Sequence, residues 1–241
     1  MVASVPVKDR PLREEIALGC RVLAHLGMAT GVLGHISARV ADDEILIRCR
    51  GPREAGLGHT TAGDVHRVGL DGRLSSGEPG WSVPKEYPIH TALIRARPDV
   101  GAVVHSHPPS ALLFGLADLV ASPVFGAYNI PAMRIARAGI RVYPRSVLIT
   151  RDELGTEVAA AMGRSTVCIL RGHGIVTVGQ TVRQAVVAAV NLETVCRVAV
   201  ELRQLGAQPE SLTEADLAEL PDLGSAFDDE LAWNALIADL R

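Results

Sequence analysis

Lysine is almost missing from this 241-residue chain: of 24 cationic side chains only Lys8 and Lys85 are lysine, and the rest are arginine. Acidic residues number 27, so the formal charge is −3 and no general polyanion-binding surface is expected; nucleic acid is not a partner on these grounds. The arginine bias, beside abundant Ala, Val and Gly, fits a nucleotide-composition bias as well as it fits function, so arginine count carries no argument. No stretch reaches the ~20 apolar residues of a membrane span, and Met1 to Arg10 lacks the apolar core of a leader, so neither is expected. Cys20, Cys49, Cys168 and Cys196 are scattered without C-x-x-C spacing, which points to reduced core thiols in a cytoplasmic protein. Low-complexity linkers and internal repeats are missing too. With 48% hydrophobic and 21% charged residues, the chain can bury a sizeable core. One domain over residues 1–241 is expected, with its core at 12–206 and a more acidic helical extension at 207–241.

What is present alternates between helical and extended patterns. Asp9 and Pro11 open a helix whose apolar positions Leu12, Ile16, Cys20 and Leu23 recur at helical spacing, until Gly31 and Gly34 break the pattern. Residues 44–49 and 65–70 read as strands, the second turning at Asp71-Gly72. A short helix at 86–96 tolerates Pro88 because it falls in the first turn. Then follow a strand at 101–107 and a helix at 110–116. Thr150-Arg151-Asp152-Glu153 reads as a capping box for a helix to Met162, and Thr181-Val182-Arg183-Gln184 as one for a helix to Leu205, closed by Gly206. Between them lie an apolar strand at 166–170 and a hairpin-like continuation at 175–178. Residues 230–240 form a candidate terminal helix. Interleaved helices and strands predict an α/β fold with three α/β/α layers, and the short hairpin-joined strands predict a central mixed, largely antiparallel sheet.

The chemistry concentrates in histidines. His105-Ser106-His107 ends the apolar run Gly101 to Val104, and residues at i and i+2 of a strand share a face, roughly 7 Å apart. His173, between Gly172 and Gly174, follows another apolar run, and Glu86 lies on the segment feeding the first pair. Three imidazoles and a carboxylate suit a divalent transition metal. The competing reading of an isolated His-x-His is a hydrogen-bonded strand end. Pro108-Pro109 stopping the strand at once, and the glycines that allow close approach beside His173, favour the metal. His90, four residues after Glu86 on the same helical face, is placed either to orient Glu86 or to pack in the core.

Taken in order, Gly34-x-x-Ser37-x-Arg39, Glu86, Val103-Val104-His105-Ser106-His107 and Gly172-His173-Gly174 resemble the class II aldolase/adducin family, which includes L-fuculose-phosphate aldolase and ribulose-phosphate epimerase. The resemblance spans about residues 12–206. It implies an α/β/α fold and a metal site of Glu86, His105, His107 and His173, with zinc as the first expectation and manganese, iron and cobalt as others. It also implies a homotetramer with active sites at subunit interfaces. Aldolases of this family take a proton from a neighbouring subunit's tyrosine. Tyr128, in Gly126-Ala127-Tyr128-Asn129, is the best positional match, a buried structural tyrosine being the alternative.

The departures from the family pattern bear on substrate. Sugar-phosphate members hold phosphate with Gly-Asn-x-Ser, a Thr/Ser-Gly loop and a Ser-Ser pair before the glutamate. Here these positions read Gly34-His35-Ile36-Ser37, Arg50-Gly51 and Pro84-Lys85. His35, Ser37, Arg48, Arg50 and Lys85 are therefore the candidate substrate-binding residues, the cations facing a carboxylate instead of a phosphate. Arg48 and Arg50 are equally consistent with a solvated strand end. The resemblance thus leans toward family branches that decarboxylate aromatic or ring-cleavage acids, with Glu86 and Tyr128 as acid/base candidates. A metal-dependent decarboxylase of an unphosphorylated hydroxy or oxo acid is expected. A retro-aldolase, an Fe(II) oxygenase at the same site and an adducin-like scaffold are the alternatives, the last opposed by the complete ligand set.

Overall fold

The computed structural model describes residues 9–75 and 79–240; the reading of the extreme N-terminus as leaderless falls mostly outside them. Helix α1 (Arg10–His25) opens where Asp9 and Pro11 predict, and buries Ile16, Cys20 and Leu23. Asp9 does not cap it through its side chain. Both Asp9 carboxylate oxygens instead accept from Arg67, at 2.6 and 2.8 Å.

Strand β1 (His35–Arg39) has no forerunner in the sequence pattern. His35 and Ser37 are polar positions of a strand buried on both faces, and each is tolerated there because it has a hydrogen-bond partner. Strands β2 (Glu44–Arg48) and β3 (Val65–Gly69) lie within their predicted spans. Helix α2 (Tyr87–Ala96) carries Pro88 in its first turn and leaves Glu86 as the residue that introduces it. Strand β4 (Ala102–Ser106) and helix α3 (Pro109–Leu116) follow.

Helix α4 (Ile130–Ala138) and strand β5 (Arg141–Tyr143) are elements the sequence reading misses; both are short, and α4 is capped by Asn129, whose side-chain oxygen accepts from Ala132 N. Helix α5 (Asp152–Met162) lacks the capping box expected at Thr150: Arg151 occupies the cap position, and Asp152 and Glu153 stand in the first turn, where their charges favour the positive end of the helix dipole. Strands β6 (Val167–Leu170) and β7 (Gly174–Gly179) form the predicted hairpin. Helix α6 (Val182–Gln204) is capped by Thr181, but its Gln184 side chain reaches back to Gln180 N and not to Thr181 N. After α7 (Glu214–Ala218) and a π-helical turn at 226–231, α8 (Ala232–Ala238) is shorter than the predicted 230–240.

The seven strands run in the order β3-β2-β1-β4-β7-β6-β5, antiparallel at every step except the parallel β5–β6 edge. This is the mixed, largely antiparallel sheet expected. Alternation along β4 sends Val104 to a core built with α1, α3 and α6, and Val103 to a second core built with α2 and α5. The sheet is thus the middle of three layers. His105 shares the α2/α5 face with Val103.

That second core is tight where α5 crosses α2. A Cβ on Gly155 would stand 2.4 Å from the carbonyl oxygen of Pro88, two residues beyond Glu86. Gly155→Ala should therefore push the helices apart and cost about 1–3 kcal/mol. Urea unfolding should show a lower midpoint at unchanged slope; an unchanged midpoint would mean that this contact yields freely.

Candidate metal centre

β4 lies between β1 and β7, with His105 opposite His35 on one side and Val176 on the other. The His105 ring donates from Nδ1 to the Ile175 carbonyl at 2.9 Å. A neutral imidazole that donates from Nδ1 keeps its lone pair on Nε2, which is the tautomer a metal ligand needs. His107 lies one residue past the strand, its backbone N–H held by Met28 O at 2.8 Å. The segment then turns into α3, whose first free amides, Ser110 N and Ala111 N, donate to the two carboxylate oxygens of Glu193 at 2.9 Å each.

His173 sits in the three-residue loop between paired Leu170 and Gly174. Gly172 takes φ +64° in that turn, and a Cβ on Gly174 would fall 2.3 Å from Ser106 O and 3.2 Å from the His107 ring. The glycines flanking His173 thus let β7 close on the end of β4. The three imidazoles form a near-equilateral triangle, with centroids 4.8 Å (His105–His107), 4.9 Å (His105–His173) and 5.0 Å (His107–His173) apart.

Glu86 completes the group. Its Oε1 accepts from Ile149 N at 3.0 Å and lies 3.3 Å from His173 Nε2, while Oε2 lies 3.6 Å from His105 Nε2. One donor atom from each of Glu86, His105, His107 and His173 falls within 4.8 Å of all the others. Burial alone would raise the Glu86 carboxyl, but the adjacent imidazoles of His105 and His173 outweigh it and hold the group far below the usual carboxylate range. Burial, then the adjacent His105 and His173, lowers His107 to about 3.

The donor chemistry fits a divalent cation. His105 Nε2 and His107 Nε2 stand 3.0 Å apart, close enough to share a proton or to face one cation together. Both ring nitrogens of His173 are buried without a hydrogen bond. Buried polar atoms rarely go unpaired, and three nitrogens aimed at one carboxylate make a ready nitrogen-rich site.

The candidate substrate-binding residues divide. His35 is brought to the cluster, its ring 5.0 Å from that of His105. Ser37 lies behind it, fully buried and bonded to His90. Arg50 is half-buried and donates to Val32 O at 3.2 Å; its charge, added to burial, His90 and His105, helps hold His35 well below the ordinary histidine value. Lys85 is exposed, without an ion-pair partner among the described residues. Arg48 is not brought to the cluster: it shares Leu46's face, on the opposite side of the sheet from His105, and is buried in an ion pair with Glu54. Tyr128 is no buried structural residue; it is 69% exposed, edge-on to Phe125. His90 does not orient Glu86, because its two ring nitrogens are committed to His35 and Ser37; Ile149 N does that work. Ile149 and Glu193 are the positioning groups that sequence reasoning misses, and nothing local signals either of them.

Removing one imidazole opens the ring of donors. His105→Ala and His173→Ala should lose nearly all bound divalent metal after dialysis against a chelator, whereas the wild type should hold about one ion per chain by elemental analysis; full occupancy in either variant contradicts the site. A second expectation concerns pH. Burial holds His90 down at about 3, and burial, His90 and His105 hold His35 low. Below about pH 6.5 the unfolded chain takes up protons that the fold refuses. Stability of the metal-free protein should therefore fall from pH 6.5 toward pH 3, by about 1.4 kcal/mol per unit for each such histidine. Denaturant midpoints at pH 7, 6 and 5 check this, and His90→Gln should flatten the slope.

Comparison with known proteins accords with this geometry. The model of the class II aldolase and adducin N-terminal domain matches residues 14–200. The chain is 44% identical over 236 residues to 3,4-dihydroxyphthalate decarboxylase of Arthrobacter keyseri, covering 97% of this chain and 95% of that one. It is 42% identical over 231 residues to the enzyme of the same name from Rhodococcus jostii, covering 94% of each. Among solved structures, L-fuculose 1-phosphate aldolase from Glaciozyma antarctica superposes with a TM-score of 0.79 at 22% identity, over 99% of this chain and 92% of that one, a likeness of fold. The fold, the donor cluster and these matches agree: the chain belongs to the class II aldolase and adducin family.

Proposed function

We propose that this protein is a metal-dependent carbon–carbon lyase that decarboxylates an unphosphorylated aromatic hydroxy acid of the dihydroxyphthalate kind. The observation that carries this reading is its similarity, along 97% of its length, to a 3,4-dihydroxyphthalate decarboxylase. The donor cluster supports it. His105, His107 and His173 would hold the ion together with Glu86; zinc suits three nitrogens and one oxygen, and manganese, iron or cobalt accept the same donors. Bound there, the ion supplies Lewis acidity toward a substrate oxygen, an electron sink that serves decarboxylation and aldol cleavage alike.

The side chains take the remaining roles. When CO2 leaves, its bonding electron pair stays on the ring carbon next to a hydroxyl, and that carbon must take up a proton. Glu86, ionised, anchored through Oε1 on Ile149 N and buried among the imidazoles, is the carboxylate placed to take the hydroxyl proton and hand it to that carbon. Arg50 and Lys85, at the more exposed rim, are assigned to a carboxylate that the substrate keeps. A cation on the departing carboxylate would stabilise the ground state and slow the reaction.

We assign the active form to a homotetramer in which Tyr128 reaches a neighbour's site. Tyr128 is exposed, and Leu113, Leu116 and Val120, on α3 and just after it, leave large apolar surfaces uncovered. Light scattering should give four chains per particle; a fully active monomer would remove Tyr128 from the chemistry. The four buried, unpaired cysteines suit a reducing cytoplasm, where we place the protein. No helix among the described residues is long and apolar enough to cross a membrane.

The metal-loaded protein should release CO2 from 3,4-dihydroxyphthalate and leave fuculose phosphate and ribulose phosphate intact. Glu86→Gln should cut turnover by roughly 10²–10⁴-fold with metal still bound. Aldehyde release from a sugar phosphate, faster than CO2 release from any aromatic acid, would replace this reading with that of an aldolase.

A further inference from the structure

Behind His35 runs a buried chain of hydrogen bonds that ends at a hydroxyl. Ser37 Oγ lies 2.7 Å from His90 Nδ1, and His90 Nε2 lies 2.7 Å from His35 Nδ1. Ser37 and His90 are fully buried, and His35 is 3% exposed. Ser37 shares the sheet face of His35 and His105, because its cross-strand partners Ile47 and Val103 belong to the α2/α5 core.

Such a chain has two directions, and the hydroxyl decides between them. Among the described residues His90 Nδ1 is the one acceptor within reach of the Ser37 proton. Were Ser37 to accept instead, its own proton would be buried without a partner, at a cost of about 1–3 kcal/mol. Ser37 therefore donates to His90 Nδ1. A neutral imidazole has a single N–H. His90, accepting on Nδ1, must carry its proton on Nε2 and donate it to His35 Nδ1. His35 in turn carries its proton on Nε2, a position with no hydrogen-bond partner among the described residues, on a ring 5.0 Å from that of His105. His90 is fully buried and His35 3% exposed, and among the described residues no carboxylate is hydrogen-bonded to either ring.

We propose that Ser37 is a positioning residue that sets the tautomer of His35 through His90, so that His35 offers Nε2–H as an uncharged donor to an anionic oxygen of the substrate. The assignment has two consequences. A protonated Nε2 cannot ligate a metal, so His35 stays out of the ligand set although its ring touches that of His105. An uncharged donor also selects a carboxylate or phenolate oxygen without the ground-state stabilisation that a cation would give. Only the identity of the occupant rests on the lyase reading; the tautomers do not.

Long-range ¹H–¹⁵N correlation on full-length protein labelled with ¹⁵N-histidine reads the tautomers directly. Both His35 and His90 should be protonated on Nε2; finding either protonated on Nδ1 in the wild type overturns the proposal, and no variant need fold. In Ser37→Ala the two rings should become a mixture of tautomers, with kcat/KM for the aromatic acid falling roughly tenfold at unchanged metal occupancy, and Ser37→Thr should restore both. Unaltered tautomers and kinetics in Ser37→Ala would also overturn it. Titrating 3,4-dihydroxybenzoate into the zinc-loaded protein should shift the His35 Nε2–H resonance, and an unmoved resonance under saturation counts against the donor role. If the wild type decarboxylates nothing, the lyase reading fails while the tautomer measurement still decides this one.

Discussion

Three imidazoles and a carboxylate brought together in the interior converge on one point only if each is held in direction by something outside the group. That constraint explains most of the architecture around them. His105 is turned by the Ile175 carbonyl, Glu86 by the Ile149 amide and the His107 backbone by Met28. His173 is carried in on a hairpin whose glycine lets β7 close against β4. Each restraint comes from a different element, so the donor geometry is a property of the assembled sheet. The cost is concentrated at His173, whose two ring nitrogens are buried without a hydrogen bond. A divalent cation held there would offset that cost, which would couple metal binding to local stability.

Around this centre the polar groups separate by sheet face. Arg48 and Arg50 are two residues apart, yet Arg48 is spent on Glu54 in the opposite layer, whereas Arg50 leaves β2 and reaches the rim near His35. What lies beside the candidate metal donors is therefore an imidazole backed by a second imidazole and a hydroxyl, with one half-buried cation at the edge.

Much of the candidate site was legible from local pattern. The i, i+2 histidines ending an apolar strand, the glycines about His173 and the glutamate on the preceding segment are close-range features, and the structure joins all four. Pro88 at the start of α2 was equally local, since proline is tolerated where a helix has amides to spare. Strand β1 was not legible, because His35 and Ser37 break its apolar pattern, and His90, the hydrogen-bond partner that lets them be buried, lies more than fifty residues away. The cap expected at Thr150 was a local motif without a local result: the chain there is held instead by Glu86 through Ile149.

Taken alone, the sequence determined the class of the fold, the four candidate metal donors and the family to which the chain belongs, because strand alternation and helical spacing are short-range consequences of backbone geometry. Tertiary structure alone decided what those donors face. Whether a cation is free or paired, which way an imidazole carries its proton and which amide holds a carboxylate depend on partners distant in the chain. Arg48 is paired with Glu54 on the opposite face, and His90, on α2, meets Ser37 on the sheet face they share. Hydrogen bonds are directional and local in space, not in sequence, so only the folded chain could choose among them.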